Sequence, residues 1–161
     1  MIGQEKILIA SKCFEKGYEL QVKGEIDNAI EEYKSSIEYY PTARAYTFLG
    51  WAYSLQGKFE SAIEECYKAL EIEPEYANSY IDIGIYLIEL KRIEEAIGWL
   101  EKGLDLIDFQ SSYYAIYHLG RAYEKKGEWL NAIKYYNESL TANPDFEEAQ
   151  NAAIKLSTLL N

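Results

Sequence analysis

The sequence predicts an all-α solenoid of antiparallel helix hairpins. Three observations lead there. Apolar residues recur at three- and four-residue spacing, the period of one helix face. Glycines stand between pairs of such stretches, where a residue without a Cβ can end one helix and turn the chain back. The whole pattern then returns at a nearly constant period, the mark of a repeat array.

Residues 46–74 show the unit. They read Tyr46-x-x-Leu49-Gly50-x-x-Tyr53, then Ala62-x-x-x-Cys66-x-x-Ala69, then Pro74, with Gly57 between the halves and Phe59 opening the second. A hairpin this short cannot bury its own apolar face and needs neighbours of its kind. Those neighbours are present. Ala62 is followed by Ala96 after 34 residues and by Ala132 after a further 36, and preceded by Ala29 at a distance of 33. The residues around each alanine match as well, and the slips fall in connecting loops.

Taken in order, residues 1–22 are expected to form a long first helix whose Ile7, Leu8 and Ile9 cover the outer face of the first hairpin. Gly24 turns the chain into a second helix over 26–39, with Ala29, Ile30, Tyr33 and Ile37 inward. Pro41 closes it, since the residue before proline avoids helical geometry. Residues 43–56 and 58–71 form the second hairpin, 77–90 and 93–106 the third, and 113–126 and 129–141 the fourth. Gly17, Gly50, Gly84 and Gly120 are helix-packing positions, one per hairpin, and Ala62, Ala69, Ala96 and Gly103 let the paired helices approach closely. Ser111 or Ser112 is expected to cap the fourth hairpin. Asp145 and Glu148 have capping-box spacing at the start of a last helix. On it Ala149, Ala153, Leu156 and Leu160 make an apolar stripe, and Glu147, Asn151, Lys155 and Thr158 a polar outer side. With both ends finished, the chain reads as a complete protein.

Composition narrows the function classes. The 161 residues carry a formal charge of −11 and 48% apolar residues. That apolar content is globular. The charge argues against nucleic acid, whose binding begins with phosphate neutralisation by Lys and Arg, and against anionic membrane surfaces. No secretion signal or apolar run long enough to span a membrane stands out. Cys13 and Cys66, on different hairpins, read as reduced core thiols rather than a disulfide framework. The expected setting is cytoplasmic.

Catalysis finds little to start from. His118 is the only histidine, and Asp82 holds the equivalent place one hairpin earlier, but no nucleophile is expected on that face. Cys13, Cys66 and His118 lie on three different hairpins, too dispersed for zinc. The recurring pairs Glu31-Glu32, Glu64-Glu65 and Glu94-Glu95 belong to a solvated convex face. No glycine-rich phosphate loop is present. The chain therefore reads as a non-enzyme without catalytic residues, metal or cofactor.

The pattern resembles the tetratricopeptide repeat (TPR), with its W-x2-L-G-x2-Y, A-x3-F and closing proline. The second and fourth units resemble it most. The third has Asp108 in place of the proline and Lys91 in place of the turn glycine, and the first has Lys16 where leucine is usual. The resemblance implies one TPR domain over 1–161, with repeats at about 10–42, 43–76, 77–112 and 113–146 and a capping helix over 145–160. It also implies a right-handed superhelix whose concave side is lined by first helices.

On that family geometry the groove residues are Ser11, Phe14 and Tyr18; Arg44, Thr47 and Trp51; Asn78, Ile81 and Ile85; and Tyr114, Tyr117, His118 and Arg121. Phe14, Tyr18 and Trp51 are large aromatics of the kind found at binding hot spots. Phe14 and Tyr18 stand where the family's chaperone-binding clamp would need lysine and asparagine, so that activity does not carry over. The resemblance implies a protein-binding adaptor or scaffold, co-chaperone-like in kind, holding a peptide segment or helix of more apolar character, with Arg44 and Arg121 taking its carboxylates. The alternative is a structural subunit that assembles through its flanks or convex face.

Overall fold

The computed structural model describes residues 2–160. Among them are nine α-helices: α1 (Ile2–Val22), α2 (Ile26–Tyr39), α3 (Ala43–Leu55), α4 (Phe59–Ile72), α5 (Ala77–Glu89), α6 (Ile93–Leu104), α7 (Tyr113–Lys126), α8 (Trp129–Ala142) and α9 (Glu147–Leu159). A single 3₁₀ turn, Gln110–Ser112, precedes α7, and no strand occurs among the described residues. The helices divide between two compact units, Met1–Asp82 and Ile83–Asn161, whose boundary falls inside α5.

In the first unit α1 packs on α2, α2 on α3 and α3 on α4. Its core gathers Phe14, Ala29, Ile30, Tyr33, Ala45, Leu49 and Ala52. The pairing of α1 with α2 depends on Gly17: a Cβ there would lie 2.8 Å from the Tyr33 ring. In the second unit α6 packs on α7, α7 on α8 and α8 on α9, around Ala132, Tyr136, Ala153 and Leu156. Gly120 repeats the device, with a built Cβ only 2.5 Å from the Tyr136 ring. Two serines clip the same hairpins. Ser36 donates to the Ala10 carbonyl at 2.8 Å and Ser139 to the Tyr113 carbonyl at 2.7 Å. Each satisfies a hydroxyl that burial would otherwise penalise.

Four turns share one geometry. The peptide N–H after each αL residue donates to a carbonyl five residues back: Glu25 to Leu20, Lys58 to Tyr53, Arg92 to Leu87 and Glu128 to Tyr123, at 2.9–3.0 Å. Gly24, Gly57 and Gly127 supply the left-handed residue at φ 81°, 74° and 78°. The third turn forms without glycine, placing Lys91 at φ 62°. A side chain in that region costs on the order of 1–3 kcal/mol, so the repeat register imposes the turn on a residue that does not favour it.

Several local expectations are corrected. Ser112 stands in the N-cap position of α7, but neither serine's side chain caps the helix, and the Ser112 hydroxyl donates to the Phe109 carbonyl at 2.6 Å instead. Asp108 does the capping one turn earlier, its carboxylate accepting from the Ser111 N–H at 2.9 Å and hydroxyl at 3.1 Å, which is why a 3₁₀ turn leads in. The Asp145–Glu148 box does not form, because α9 begins at Glu147 with Phe146 in the cap position. Asn143 instead accepts from the Asp145 N–H, and Gln150 donates to the Pro144 carbonyl. Ile7 and Leu8 are exposed, with only Ile9 half-buried. On α9, Ala149, Ala153 and Leu156 are buried, but Leu160 falls past the helix end and is exposed. The outer side of α9 is less polar than expected, since Ile154 is 66% exposed. Cys13 is half-buried and Cys66 fully so; both are free thiols.

Candidate functional site

In the first unit the expected groove residues separate into a buried set and an exposed set. Phe14 belongs to the core, its ring 5.6 Å from Tyr33 and 5.0 Å from Phe48. Thr47 is buried as well. Its hydroxyl donates to the Ala43 carbonyl at 2.9 Å, so the 2.8 Å contact with Ser79 is donated by the serine. Ile81 is buried. These three are packing residues, and the expectation that they line an open surface is corrected. First helices are flanked on two sides by neighbours, and the stripe next to the hairpin seam turns inward with it.

The exposed set is compact. Tyr18 is 45% exposed and Trp51 40%. Both meet Phe48 edge-on, at 6.0 and 5.7 Å between ring centroids. Arg44 lays its guanidinium 4.4 Å from the Phe14 centroid and 5.7 Å from that of Phe48. Such cation–π placement holds the side chain over the rings. Arg44 makes no ion pair among the described residues. The result is an aromatic ridge, Tyr18–Phe48–Trp51, with an unneutralised cation beside its centre. Asn78 is exposed and hydrogen-bonds Tyr76. Phe48, the centre of the ridge, escaped the sequence reading, although it occupies the repeat place shared by Asp82 and His118.

The second unit differs. Tyr114 is exposed, its ring 4.5 Å from His118, and Tyr117 lies half-buried among His118, Tyr136 and Phe146. Ile85 is half-buried. His118 is only 4% exposed, which corrects its expected place on an open surface. Arg121 donates one Nη to His118 Nδ1 at 3.2 Å and the other to Glu89 at 2.8 Å. Because guanidinium only donates, Nδ1 accepts and the imidazole proton sits on Nε2. Burial first, and the Arg121 charge second, lower the His118 pKa to about 3. A neutral imidazole held this way is neither a base near pH 7 nor a free ligand. Arg121 is committed to Glu89 and His118, unlike Arg44.

Among the described residues no three His, Cys, Asp or Glu side chains converge to hold a metal. No described helix is long and apolar enough to cross a membrane. Burial raises both thiols, Cys66 well above the usual range, which keeps it in the unreactive thiol form.

Helix hairpins packed through glycine and repeated along the chain define the class of protein: an all-α repeat module. Comparison with known families makes this specific. Tetratricopeptide repeat models match residues 43–76, 77–108 and 113–146, together more than half of the chain, and the chain belongs to the tetratricopeptide repeat family. Such repeats mark a protein–protein interaction or scaffold module and are generally non-catalytic.

Among curated proteins, mouse sperm-associated antigen 1 is 29% identical over 103 residues, which is 64% of this chain but 11% of that protein. Small glutamine-rich tetratricopeptide repeat-containing protein 2 of Mycosarcoma maydis is 32% identical over 79 residues, 48% of this chain and 22% of that protein. The chain thus spans only a small part of these relatives. Among solved structures, Pseudomonas aeruginosa PilF superposes with a TM-score of 0.86 at 21% identity, covering 94% of this chain and 69% of that one. Cut9, in the APC/C hetero-tetramer Cut9–Hcn1, gives 0.81 at 19%, over 92% and 30%. MamA gives 0.71 at 26%, over 87% and 81%. The first two likenesses show the fold, a TPR-like α-solenoid.

Proposed function

We propose that this chain is a single TPR domain of four repeats and a capping helix, acting as a non-enzymatic adaptor that holds a peptide segment or helix of a partner protein against its first helices, in the cytoplasm and without nucleic acid, membrane or cofactor. The observation that carries the reading is the ridge of the first unit. Tyr18 and Trp51 leave close to half of their surface in water while packing on Phe48. A hairpin interior has no need of them there. Large rigid aromatics beside an arginine are what binding hot spots are made of, and truncating one typically costs about 2 kcal/mol or more, roughly thirty-fold in affinity.

The test is one substitution read two ways. Trp51→Ala should abolish capture of the partner by immobilised protein and lower the melting temperature only slightly. A packing tryptophan would instead cost about 3–5 kcal/mol of stability. A collapse in melting temperature, or unchanged capture, would sink the proposal.

A second reading, a structural subunit that assembles through a flank, is favoured by the exposure of Leu130 at 77% and of Ile154 and Leu159 on the second unit. Under it, Leu130→Asp and Ile154→Asp would disrupt assembly and Trp51→Ala would not.

A further inference from the structure

We propose that the first unit carries a side-chain pocket for a partner segment in which an acidic residue stands between two large apolar ones. This deepens the groove reading above and rests on it. A cavity of about 230 Å³ lies between α1, α2 and the start of α3, lined by Ile7, Ala10, Ser11, Phe14, Tyr40 and Arg44 among others. Ligand pockets usually hold several hundred Å³, so this one suits a single large side chain rather than a small molecule.

The wall is largely apolar, and its Ser and Thr hydroxyls are already engaged. Ser36 donates to the Ala10 carbonyl, and Thr42 accepts from the Ala45 N–H at 3.1 Å as the cap of α3. Ser11 points to Glu15 at 3.4 Å. The one charged group left is Arg44, fixed over Phe14 and Phe48 and without a carboxylate of its own. An apolar side chain entering the cavity therefore brings its neighbouring residue to an unneutralised guanidinium, which selects a carboxylate.

The position of Arg44 decides between a chain end and an internal segment. It bridges Phe14, which lines the cavity, and Phe48, the centre of the Tyr18–Trp51 ridge. A chain that stopped at Arg44 would fill the cavity or the ridge, but not both. A chain that continues fills both, with apolar residues on either side of its acidic one.

The experiment uses the full ¹⁵N-labelled chain and the blocked peptide acetyl-Gly-Leu-Glu-Gly-Phe-Gly-amide, with a second peptide carrying Gln for Glu. The amides of Ile7, Ala10, Ser11, Tyr40 and Arg44 at the cavity and of Tyr18, Phe48 and Trp51 at the ridge should shift, with a Kd on the order of hundreds of micromolar. The Gln peptide should bind about five- to ten-fold more weakly, as one charge-assisted contact is lost. Arg44→Met should weaken the Glu peptide equally and leave the Gln peptide unchanged, since the two losses remove one interaction. Ser11→Leu, at an exposed rim position, should fill the cavity and release both peptides. Shifts confined to residues outside the cavity and the ridge, no shifts, equal binding of the two peptides, or an Arg44→Met loss common to both would overturn the proposal. If the peptide fails while Trp51→Ala still loses partner capture, the pocket falls and the groove reading stands. If both fail, neither survives.

Discussion

Gly120→Ala asks how tightly the last full hairpin is closed. A Cβ built on Gly120 lies 2.5, 2.6 and 3.2 Å from three atoms of the Tyr136 ring. That ring cannot swing aside cheaply. It is fully buried, its hydroxyl donates to Glu124 Oε2 at 2.5 Å, and Tyr117 lies 5.5 Å from it. Clearing the overlap requires α7 and α8 to part by about 1 Å, and overpacking of this kind costs about 1–3 kcal/mol. Alanine in a helix interior returns about 1 kcal/mol over glycine, leaving a net loss of up to about 2 kcal/mol. For a chain of this length that lowers the melting temperature by up to roughly 6 °C. Gly98 on α6 is the control, because a Cβ there meets nothing within 4 Å. Gly98→Ala should stabilise by about 0.5–1 kcal/mol. Melting followed by circular dichroism, with urea titration to check for a change of slope, reads both. If Gly120→Ala stabilises as Gly98→Ala does, the close approach of α7 and α8 is not what holds this hairpin.

Lys91→Gly should relieve the only left-handed non-glycine turn among the described residues and raise stability by about 0.5–1 kcal/mol, the relief being partly offset by glycine's extra freedom when unfolded; a loss in urea titration would contradict this. Leu156→Ala, on the buried side of α9, should cost about 2–5 kcal/mol, measured the same way; a change below 0.5 would mark α9 as an appendage. Labelling with iodoacetamide under native conditions should modify half-buried Cys13 before Cys66, which should react only on unfolding; equal rates would refute the burial assigned to Cys66. Two groups should shape the pH dependence with opposite signs. His118 has a folded pKa near 3, below its unfolded value, so the unfolded chain binds more protons and stability falls as pH drops from about 6.5 towards 3. Burial raises Asp82 to about 7, so its contribution is full below about 4 and is lost as pH rises through 7. Denaturation series across pH 3–8 on His118→Gln and Asp82→Asn should each remove one slope; a wild-type-like profile in either variant would refute that assignment.

The hairpins were legible in the sequence because the forces that make them are local. A glycine that can adopt positive φ, an apolar residue every third or fourth position and a small residue at each crossing act within one unit, and repetition makes the signal plain. That pattern marked Gly17 and Gly120 as packing positions, and the structure sets them against Tyr33 and Tyr136. What the sequence left open is which of two neighbouring stripes on a first helix faces water. Phe14 and Tyr18 stand one turn apart, yet Phe14 is core and Tyr18 is surface. Thr47 is buried by a serine 32 residues away, a partner its own helix does not announce. The two arginines make the same point: Arg121 is claimed by Glu89 from the preceding hairpin, and Arg44 by no carboxylate among the described residues. Helical periodicity fixes angles around one axis, whereas burial and charge pairing depend on what a neighbouring helix places opposite, and only the packed structure supplies that.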